Sequence, residues 1–423
     1  MARIRAFRGL RPTAERVQLV ASPPYDVVNT EEARAIAHGQ PYCFLRVVRP
    51  EIEFPPDHDP YTPETYARAA TNLRRLETDG IFVQDPTPCL YLYRQRMGEH
   101  EQTGLVAAAS VDDYLDDVIK KHEHTRPEKE DDRTRHVDVC DANTGPVFLT
   151  YRAEPEIDAA VRRACARDPE YDFTNAQGIQ HTFWVLDDSK EIARLLALVG
   201  ALPELYVADG HHRSASAARV GTLRRANNPG WRGDEPFNWF LAVLFPDEQL
   251  KILDYNRVVA DIAGHTPAEL LAALERAGMN VTEVTRGPYR PEAPRHFGMY
   301  LDGRWYRLKV TPTSEEDADP VRRLDVSLLQ ARVLAPLLAI DNPRTDKRID
   351  FVGGSRGLDE LVRRTDALTS SPDRYAVSFA VYPTTVADLM AIADAGEVMP
   401  PKSTWFEPKL MSGLIVHKLE TPR

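Results

Sequence analysis

The feature that most constrains the fold is an apolar stretch that runs directly into Asp-Gly and then into a segment of small residues. Leu205 to Ala208 has the composition of a short buried strand. Asp209 and Gly210 follow at once, and a helix rich in alanine and serine is predicted from there to about Ala226. The chain must therefore combine strands with helices, and here the first turn of a helix stands directly at the end of a strand.

The turn between this strand and this helix predicts an anion site. Backbone N–H groups at a helix start have no partners within the helix, and the helix dipole adds positive potential there. Gly210 lets the backbone approach a ligand closely because it has no Cβ, and Arg213 can add a bidentate contact. Phosphate suits such a site, so Gly210, His211, His212 and Arg213 are candidate phosphate- or substrate-binding residues.

Two other interpretations of the turn stay open. Asp209 can act simply as a helix N-cap, with the histidines at the surface. Zinc binding by His211 and His212 is the weaker alternative, because adjacent helical residues point about 100° apart. The sequence also lacks a His-Glu-x-x-His spacing.

Charge and length narrow the classes of function. The net charge is −11, from 53 Lys and Arg against 64 Asp and Glu, which opposes broad binding to nucleic acid. The 423 residues suggest two or three domains.

No apolar run approaches the roughly 20 residues that cross a bilayer. The N-terminus lacks the apolar core of a secretion signal, and the scattered cysteines form no Cys-x-x-Cys. We expect a cytoplasmic protein without a membrane partner.

Periodicity along the chain predicts an α+β protein with mixed sheets. Thr62 to Glu77 has the spacing of an amphipathic helix, with a proline in its first turn. Cys89 to Arg96 and Leu105 to Tyr114 alternate apolar and polar residues, which is typical of a β-hairpin. Asp302-Gly303 lies between two further strand patterns and is a strong hairpin signal.

The same patterns predict three regions. An N-terminal α+β region is expected at residues 1–115, a core that carries the Asp-Gly turn at 116–260, and a C-terminal α+β region at 261–423.

A dense run of mixed charge from Lys120 to His136 is the second candidate site. Glu123 is flanked by cations, a setting that can poise a carboxylate as a base near a bound anion. Asp131 and Asp132 could help to hold Mg²⁺, which prefers oxygen ligands. The alternative is a solvated charged loop with no chemical role.

The third candidate is the proline-bounded segment Met399 to Lys409. Its prolines fix the backbone around two lysines and two aromatic residues, so the loop could close over a ligand and Lys402 could meet a phosphate. In the alternative, Trp405 and Phe406 begin a core strand and the lysines face water. Four further polar residues are secondary candidates: Asp26, Thr125, Arg133 and Arg257.

Five motifs occur in an order that resembles the domain-of-unknown-function family 1015, often labelled Spo0J/ParB-like. They are Ser22-Pro23-Pro24-Tyr25-Asp26-Val27, His122-Glu123-His124-Thr125, Asp209-Gly210-His211-His212-Arg213, Asn256-Arg257-Val258-Val259 and Met399-Pro400-Pro401-Lys402-Ser403-Thr404. The second and third motifs are also similar to those of the free serine kinases of the ParB/sulfiredoxin superfamily.

This second resemblance implies a ParB/sulfiredoxin-like nucleotide-binding core with extra N- and C-terminal regions. It implies that Glu123 is the base on the acceptor hydroxyl, and that Asp209, His211, His212 and Arg213 form the phosphate and serine site. The long stretch at 126–208 and the large terminal regions depart from a compact serine kinase. The resemblance therefore supports the nucleotide site more strongly than it supports the identity of the acceptor.

The expected function is therefore that of a small-molecule kinase. It would transfer a phosphoryl group from ATP or ADP, with Mg²⁺, to a hydroxyl compound, free L-serine in the simplest case. The alternatives are a nucleotide-dependent, ParB-like DNA-binding regulator and a non-catalytic nucleotide-binding protein. The regulator would need a helix-turn-helix and a basic face, and neither is clear in the sequence.

Overall fold

The computed structural model describes residues 1–369 and 375–419. These residues divide into two units. The first unit contains Met1–Leu250 together with the segment that starts at Pro408, and the second contains Lys251–Glu407.

The α-helices, numbered along the chain, are α1 Val17–Val20, α2 Thr30–Ala37, α3 Leu45–Val48, α4 Pro63–Thr78, α5 Val111–Leu115, α6 Pro127–Cys140, α7 Pro155–Ala164, α8 Ser189–Gly200, α9 His211–Asn227, α10 Pro267–Arg276, α11 Ser314–Ala318, α12 Asp325–Leu329, α13 Leu358–Leu368 and α14 Val386–Asp394. Short 3₁₀ turns lie at Pro50–Glu53, Pro236–Asn238, Asp247–Gln249 and Gly354–Arg356, and a π-helical turn lies at Gln330–Leu334.

The strands are β1 Ile4–Arg5, β2 Leu10–Pro12, β3 Phe82–Gln84, β4 Leu90–Met97, β5 His100–Ser110, β6 Ile119–Lys120, β7 Ala142–Asn143, β8 Val147–Tyr151, β9 Tyr171–Thr174, β10 Gln180–Leu186, β11 Leu205–Asp209, β12 Trp239–Pro246, β13 Ile252–Leu253, β14 Tyr255–Val259, β15 Met279–Val284, β16 His296–Leu301, β17 Arg304–Val310, β18 Ile349–Gly353, β19 Val377–Val381, β20 Trp405–Phe406 and β21 His417–Lys418.

A mixed sheet organises the first unit. Its strand order is β6-β11-β8-β12-β5-β4-β10-β9, and β1 pairs with β5 beside this path. β11 runs parallel to β6 and β8 runs parallel to β12, whereas the other neighbouring strands are antiparallel. The apolar faces of α7 and α8 and the small residues of α9 pack against this sheet. The predicted α+β class with mixed sheets is confirmed.

Local signals in the sequence explain several elements. The hydroxyl of Thr62 accepts a hydrogen bond from the N–H of Thr65, and Pro63 occupies the first turn of α4, as predicted. The predicted hairpin is β4 paired with β5. Asp302 and Gly303 have φ values of 51° and 73° between β16 and β17, and two positive φ values are what a type I′ hairpin turn requires.

The second unit is built on an antiparallel sheet of strand order β15-β17-β16-β19-β14-β18. One face of this sheet packs against α13 through Val258, Tyr300, Trp305, Val352 and Leu361. Two further strands, β13 and β20, pair with each other in the same unit.

Two features of the structure were not evident from the sequence. Residues 127–136 do not form a solvated loop but lie in α6, whose buried residues include Asp132, Thr134 and His136. The predicted regions 1–115 and 116–260 share one sheet, because β5 pairs with β12. Among the described helices, none is long and apolar enough to span a membrane.

Candidate functional site

A parallel strand pair brings two distant motifs to one edge of the first sheet. Leu205 of β11 pairs with Ile119 of β6, and Tyr206 pairs with Lys120. Because parallel strands end at the same edge, the segment after β6 and the turn after β11 emerge side by side. Glu123 therefore lies next to the start of α9, although the motifs are far apart in sequence.

The turn at Gly210 requires glycine. Its φ is +95°, in the region that L side chains rarely adopt. A Cβ there would lie 3.2 Å from Nε of Arg213. At this turn the chain passes directly from β11 into α9. The N–H groups of the first helical turn face away from the helix body.

Asp209 is an ionised carboxylate held by a lysine. Its Oδ2 lies 2.9 Å from Nζ of Lys409, and its Oδ1 accepts a hydrogen bond from the N–H of Gly210 at 2.8 Å. Burial alone would raise the pKa of Asp209, but Lys409 and Arg213 hold this pKa below its usual range. A carboxylate held in this way is a poor proton acceptor near neutral pH.

His211 is a buried, neutral imidazole. Its side chain is 6% exposed, and burial lowers its pKa to about 4 although Asp209 acts in the opposite direction. Its Nε2 has no hydrogen-bond partner in the part of the chain that the structure describes. The ring of His122 packs edge-on against it at 4.4 Å, and burial also lowers the pKa of His122.

Glu123 and His211 face each other without a hydrogen bond. Oε2 of Glu123 lies 3.9 Å from Nδ1 of His211, beyond normal hydrogen-bond range. The Glu123 side chain is 38% exposed, so a solvent-borne ligand can reach this carboxylate.

Arg213 is a buried guanidinium that keeps donor capacity. Nη1 donates to the carbonyl of Pro146 at 2.6 Å, and Nη2 lies 3.4 Å from Oδ2 of Asp26. Nε is buried without a hydrogen-bond partner among the described residues. The structure thus joins Asp26, predicted only as a secondary candidate, to Arg213.

His212 and Thr125 position the helix α6 in the structure. Nε2 of His212 accepts a hydrogen bond from the N–H of Arg126 at 3.1 Å. The hydroxyl of Thr125 donates to Glu130 at 2.7 Å. The first contact joins the segment that carries Glu123 to the start of α9, and the second holds Thr125 against α6.

The acidic pair expected to hold Mg²⁺ does not converge. Asp132 is buried, and its carboxylate accepts hydrogen bonds from Oη of Tyr66 and from Nε of Arg133, each at 2.9 Å. Asp131 instead pairs with Arg219 at 2.5 Å. Within residues 1–369 and 375–419, no group of three or more His, Cys, Asp or Glu could hold a metal ion. Asp131 and Asp132 therefore each pair with an arginine, and their role as Mg²⁺ ligands stays a prediction.

A family model matches residues 4–327, and its description reads "Protein of unknown function (DUF1015)". This chain belongs to the DUF1015 family. The match covers Glu123 and the whole turn from Asp209 to Arg213. No curated protein matches this DUF1015 chain.

Solved structures resemble the DUF1015 chain only distantly. A free serine kinase mutant in complex with AMP has a TM-score of 0.34 at 14% identity, covering 72% of this chain and 86% of its own. SbnI with a C-terminal truncation, from Staphylococcus aureus, has a TM-score of 0.37 at 13% identity and covers 73% and 85%. A conserved hypothetical protein from Pyrococcus furiosus has a TM-score of 0.32 at 15% identity and covers 74% and 95%. Similarities this weak do not establish a shared fold.

The C-terminal motif of the DUF1015 chain is divided between the two units. Lys402, the lysine chosen from the sequence, belongs to the second unit, where its Nζ lies 5.5 Å from the ring of Tyr255. Arg257 is in the same unit and donates to the carbonyl of Lys402. The lysine that contacts the Asp209 turn is Lys409, which sequence reasoning did not select. The sequence marked Lys409 only by its position at the end of the segment Met399 to Lys409.

Together these contacts define what we call the α9 site, made of Glu123, Asp209, His211, Arg213 and Lys409. Its cations are Arg213 and Lys409, because His211 is neutral. The helix start adds N–H donors. The arrangement can bind an anion and presents an accessible carboxylate beside it.

Proposed function

We propose that this DUF1015 protein is a small-molecule kinase that transfers a phosphoryl group from ATP or ADP to a hydroxyl compound, with free L-serine as the first acceptor to test. The observation that carries the proposal is the approach of the Glu123 carboxylate to the start of α9, 3.9 Å from His211. The motif resemblance to the free serine kinases supports it from the sequence.

The α9 site has a candidate for each protein role in phosphoryl transfer. Such catalysis depends on anchored phosphates and on a group that orients and deprotonates the attacking hydroxyl. Arg213, with its unpartnered Nε, and the N–H groups of the first turn would hold phosphate oxygens. Lys409 would supply a second cation and already neutralises Asp209.

Of the two carboxylates, Glu123 is the better base. Asp209 is committed to Lys409 and to the N–H of Gly210, and its lowered pKa weakens it as a proton acceptor. Glu123 is accessible, with a side chain that is 38% exposed and that faces the neutral His211. In the proposed step, an Oε atom of Glu123 takes the proton of the acceptor hydroxyl, and Asp209 keeps Lys409 and the turn in place.

The experiment is a screen of small hydroxyl compounds with ATP and with ADP, each with and without Mg²⁺, read by mass spectrometry for a gain of one phosphate. L-serine leads the panel, and Glu123→Gln serves as the inactive reference. Nucleotide binding without turnover of any acceptor would favour the non-catalytic alternative. Sequence-selective DNA binding at nanomolar protein concentration would favour the ParB-like regulator.

A further inference from the structure

The second unit contains a buried cation that forms no ion pair with any carboxylate among the described residues. Arg257 in β14 is 3% exposed. One Nη donates to the carbonyl of Tyr255 and the other to the carbonyl of Lys402, the latter at 3.2 Å. No Asp or Glu forms an ion pair with Arg257 among residues 1–369 and 375–419.

Burial without an ion pair among the described residues is unusual for an arginine. A guanidinium has five N–H donors, and the side chain of Arg257 donates only two hydrogen bonds to described residues. Burial lowers the pKa of Arg257 to about 10, so the group stays charged at neutral pH. Buried charges are normally paired because leaving them unpaired is costly. Asp254 in the same unit shows the usual arrangement, since this buried carboxylate pairs with Arg290 at 2.7 Å.

A second cation stands beside Arg257. Lys402 is exposed and has a φ of 59°, a left-handed backbone conformation that is uncommon outside glycine. The hydroxyl of Ser403 donates to the carbonyl of Pro400 at 2.7 Å and closes this turn. A strained, braced backbone thus holds the carbonyl of Lys402 against Arg257, and such strain concentrates at ligand-binding positions.

Each of the two cations lies near an aromatic ring. The guanidinium carbon of Arg257 lies 5.3 Å from the ring of Phe351. The ring of Tyr255 lies 5.5 Å from Nζ of Lys402 and 5.1 Å from the ring of Trp405. Because Arg257 is only 3% exposed, little water screens its attraction to an anion.

We propose that Arg257 and Lys402 form a binding site for the phosphate group of a small molecule, within the second unit and additional to the α9 site. A phosphate dianion would neutralise both charges, and the planar guanidinium fork matches its oxygens. The exposed Lys402 marks the side from which the ligand enters. This site goes beyond the proposed kinase function and does not depend on it.

The experiment measures binding of inorganic phosphate, AMP and O-phosphoserine to the full chain by calorimetry, at constant ionic strength set with chloride. Phosphate should bind the native protein and Arg213→Ala. In the Arg213→Ala background, where the α9 site no longer contributes, Lys402→Ala should weaken the binding roughly tenfold or more, as expected for loss of a charge-assisted contact. Arg304→Gln is the matched control, because Arg304 is an exposed cation of the same unit that pairs with Glu283; it should bind phosphate normally.

The variants separate this inference from the kinase proposal. Lys402-dependent phosphate binding in a protein with no kinase activity would support the site and reject the kinase. Loss of all phosphate binding in Arg213→Ala would overturn the site, as would equal affinity in Arg213→Ala with and without Lys402→Ala. In the same Arg213→Ala background, Arg257→Gln should also abolish binding; if it does not fold, Lys402→Ala decides, because that side chain is exposed. Preference for AMP over O-phosphoserine would assign the site to the nucleotide, and the reverse preference would assign it to a phosphorylated product.

Discussion

Nζ of Lys409 lies 2.9 Å from the carboxylate of Asp209, and 200 positions separate the two residues in the sequence. Gln95, a fully buried side chain of β4, donates to the backbone carbonyl of Lys409 at 2.8 Å. The lysine is thus fixed at both its backbone and its ammonium group, and the turn after β11 depends on a segment that returns to the first unit after the second is complete.

Lys409→Met should destabilise the first unit. The change leaves the Asp209 carboxylate largely buried without its cation, which costs about 1–3 kcal/mol, and Asp209→Asn in the same chain should restore most of the loss. Urea unfolding followed by fluorescence measures both effects. Lys418→Met is the control, since Lys418 forms a more exposed pair with Glu77 and should cost below about 1 kcal/mol. Equal losses in the two single variants would contradict a special role for Lys409.

Glu123→Gln should reduce turnover far more than nucleotide affinity. The amide keeps the shape of the side chain but cannot accept the hydroxyl proton, and a general base contributes on the order of 10²–10⁴ in rate. Single-turnover kinetics and calorimetry measure the two quantities separately. Glu128→Gln, on the exposed first turn of α6, should behave as the native protein. If turnover survives Glu123→Gln, the base has been misassigned.

Arg213→Ala should weaken binding of ATP or ADP roughly tenfold or more, because a charge-assisted contact worth about 1.5–3 kcal/mol is lost. Titration calorimetry gives the affinity, and a melting curve shows that the variant remains folded. Arg219→Ala removes an exposed arginine from the same helix and should bind as the native chain does. Unchanged affinity in Arg213→Ala would remove this residue from the phosphate site.

His211 should make the protein less stable below neutral pH. Its pKa falls to about 4 in the folded state because of burial, whereas the unfolded value is near 6.5. The unfolded chain therefore binds more protons, so this stabilising contribution is complete above pH ~6.5 and is lost as the pH falls toward about 4. His211→Gln should flatten the stability curve in that window by on the order of 3 kcal/mol. The exposed His38→Gln should leave the curve unchanged, and a native slope in His211→Gln would show that the imidazole is not buried neutral.

Asp131→Asn should leave any Mg²⁺ dependence of nucleotide binding unchanged. Asp131 is exposed and paired with Arg219, so its loss should cost less than about 1 kcal/mol in stability. Calorimetric titration of the nucleotide with and without Mg²⁺ measures the dependence in both proteins. A selective loss of the Mg²⁺ effect in Asp131→Asn would instead show that Asp131 is a metal ligand.

Elements with strong local signals could be predicted from the sequence. The cap at Thr62, the Asp302-Gly303 turn and the passage from β11 through Gly210 into α9 all follow from the backbone preferences of single residues. Such preferences act within a few residues, so the sequence displays them directly.

Helix α6 was hidden because it buries polar residues. Asp132, Thr134 and His136 face inward, so the helix has no apolar stripe for periodicity to detect. Its packing rests on side-chain hydrogen bonds such as that from Ser216 of α9 to the carbonyl of Glu130 at 3.2 Å. These contacts join distant parts of the chain and leave no local pattern.

The choice between the two C-terminal lysines had the same difficulty. Lys402 and Lys409 share one proline-bounded motif, and no property of that motif shows where the chain passes from the second unit to the first. That passage occurs at Pro408, one residue before Lys409. Membership of a unit is set by tertiary contacts, which spacing within a motif does not encode.

The return of the chain at Lys409 has a consequence for biosynthesis. Asp209 leaves the ribosome before Lys251–Glu407, and at about 5–20 residues per second Lys409 follows only after roughly 10–40 s. During that interval the turn carries a carboxylate without its lysine, so the α9 site cannot take its final form. If translation ends within the second unit, the central sheet of the released chain can fold. Its α9 site, however, lacks one of its two cations.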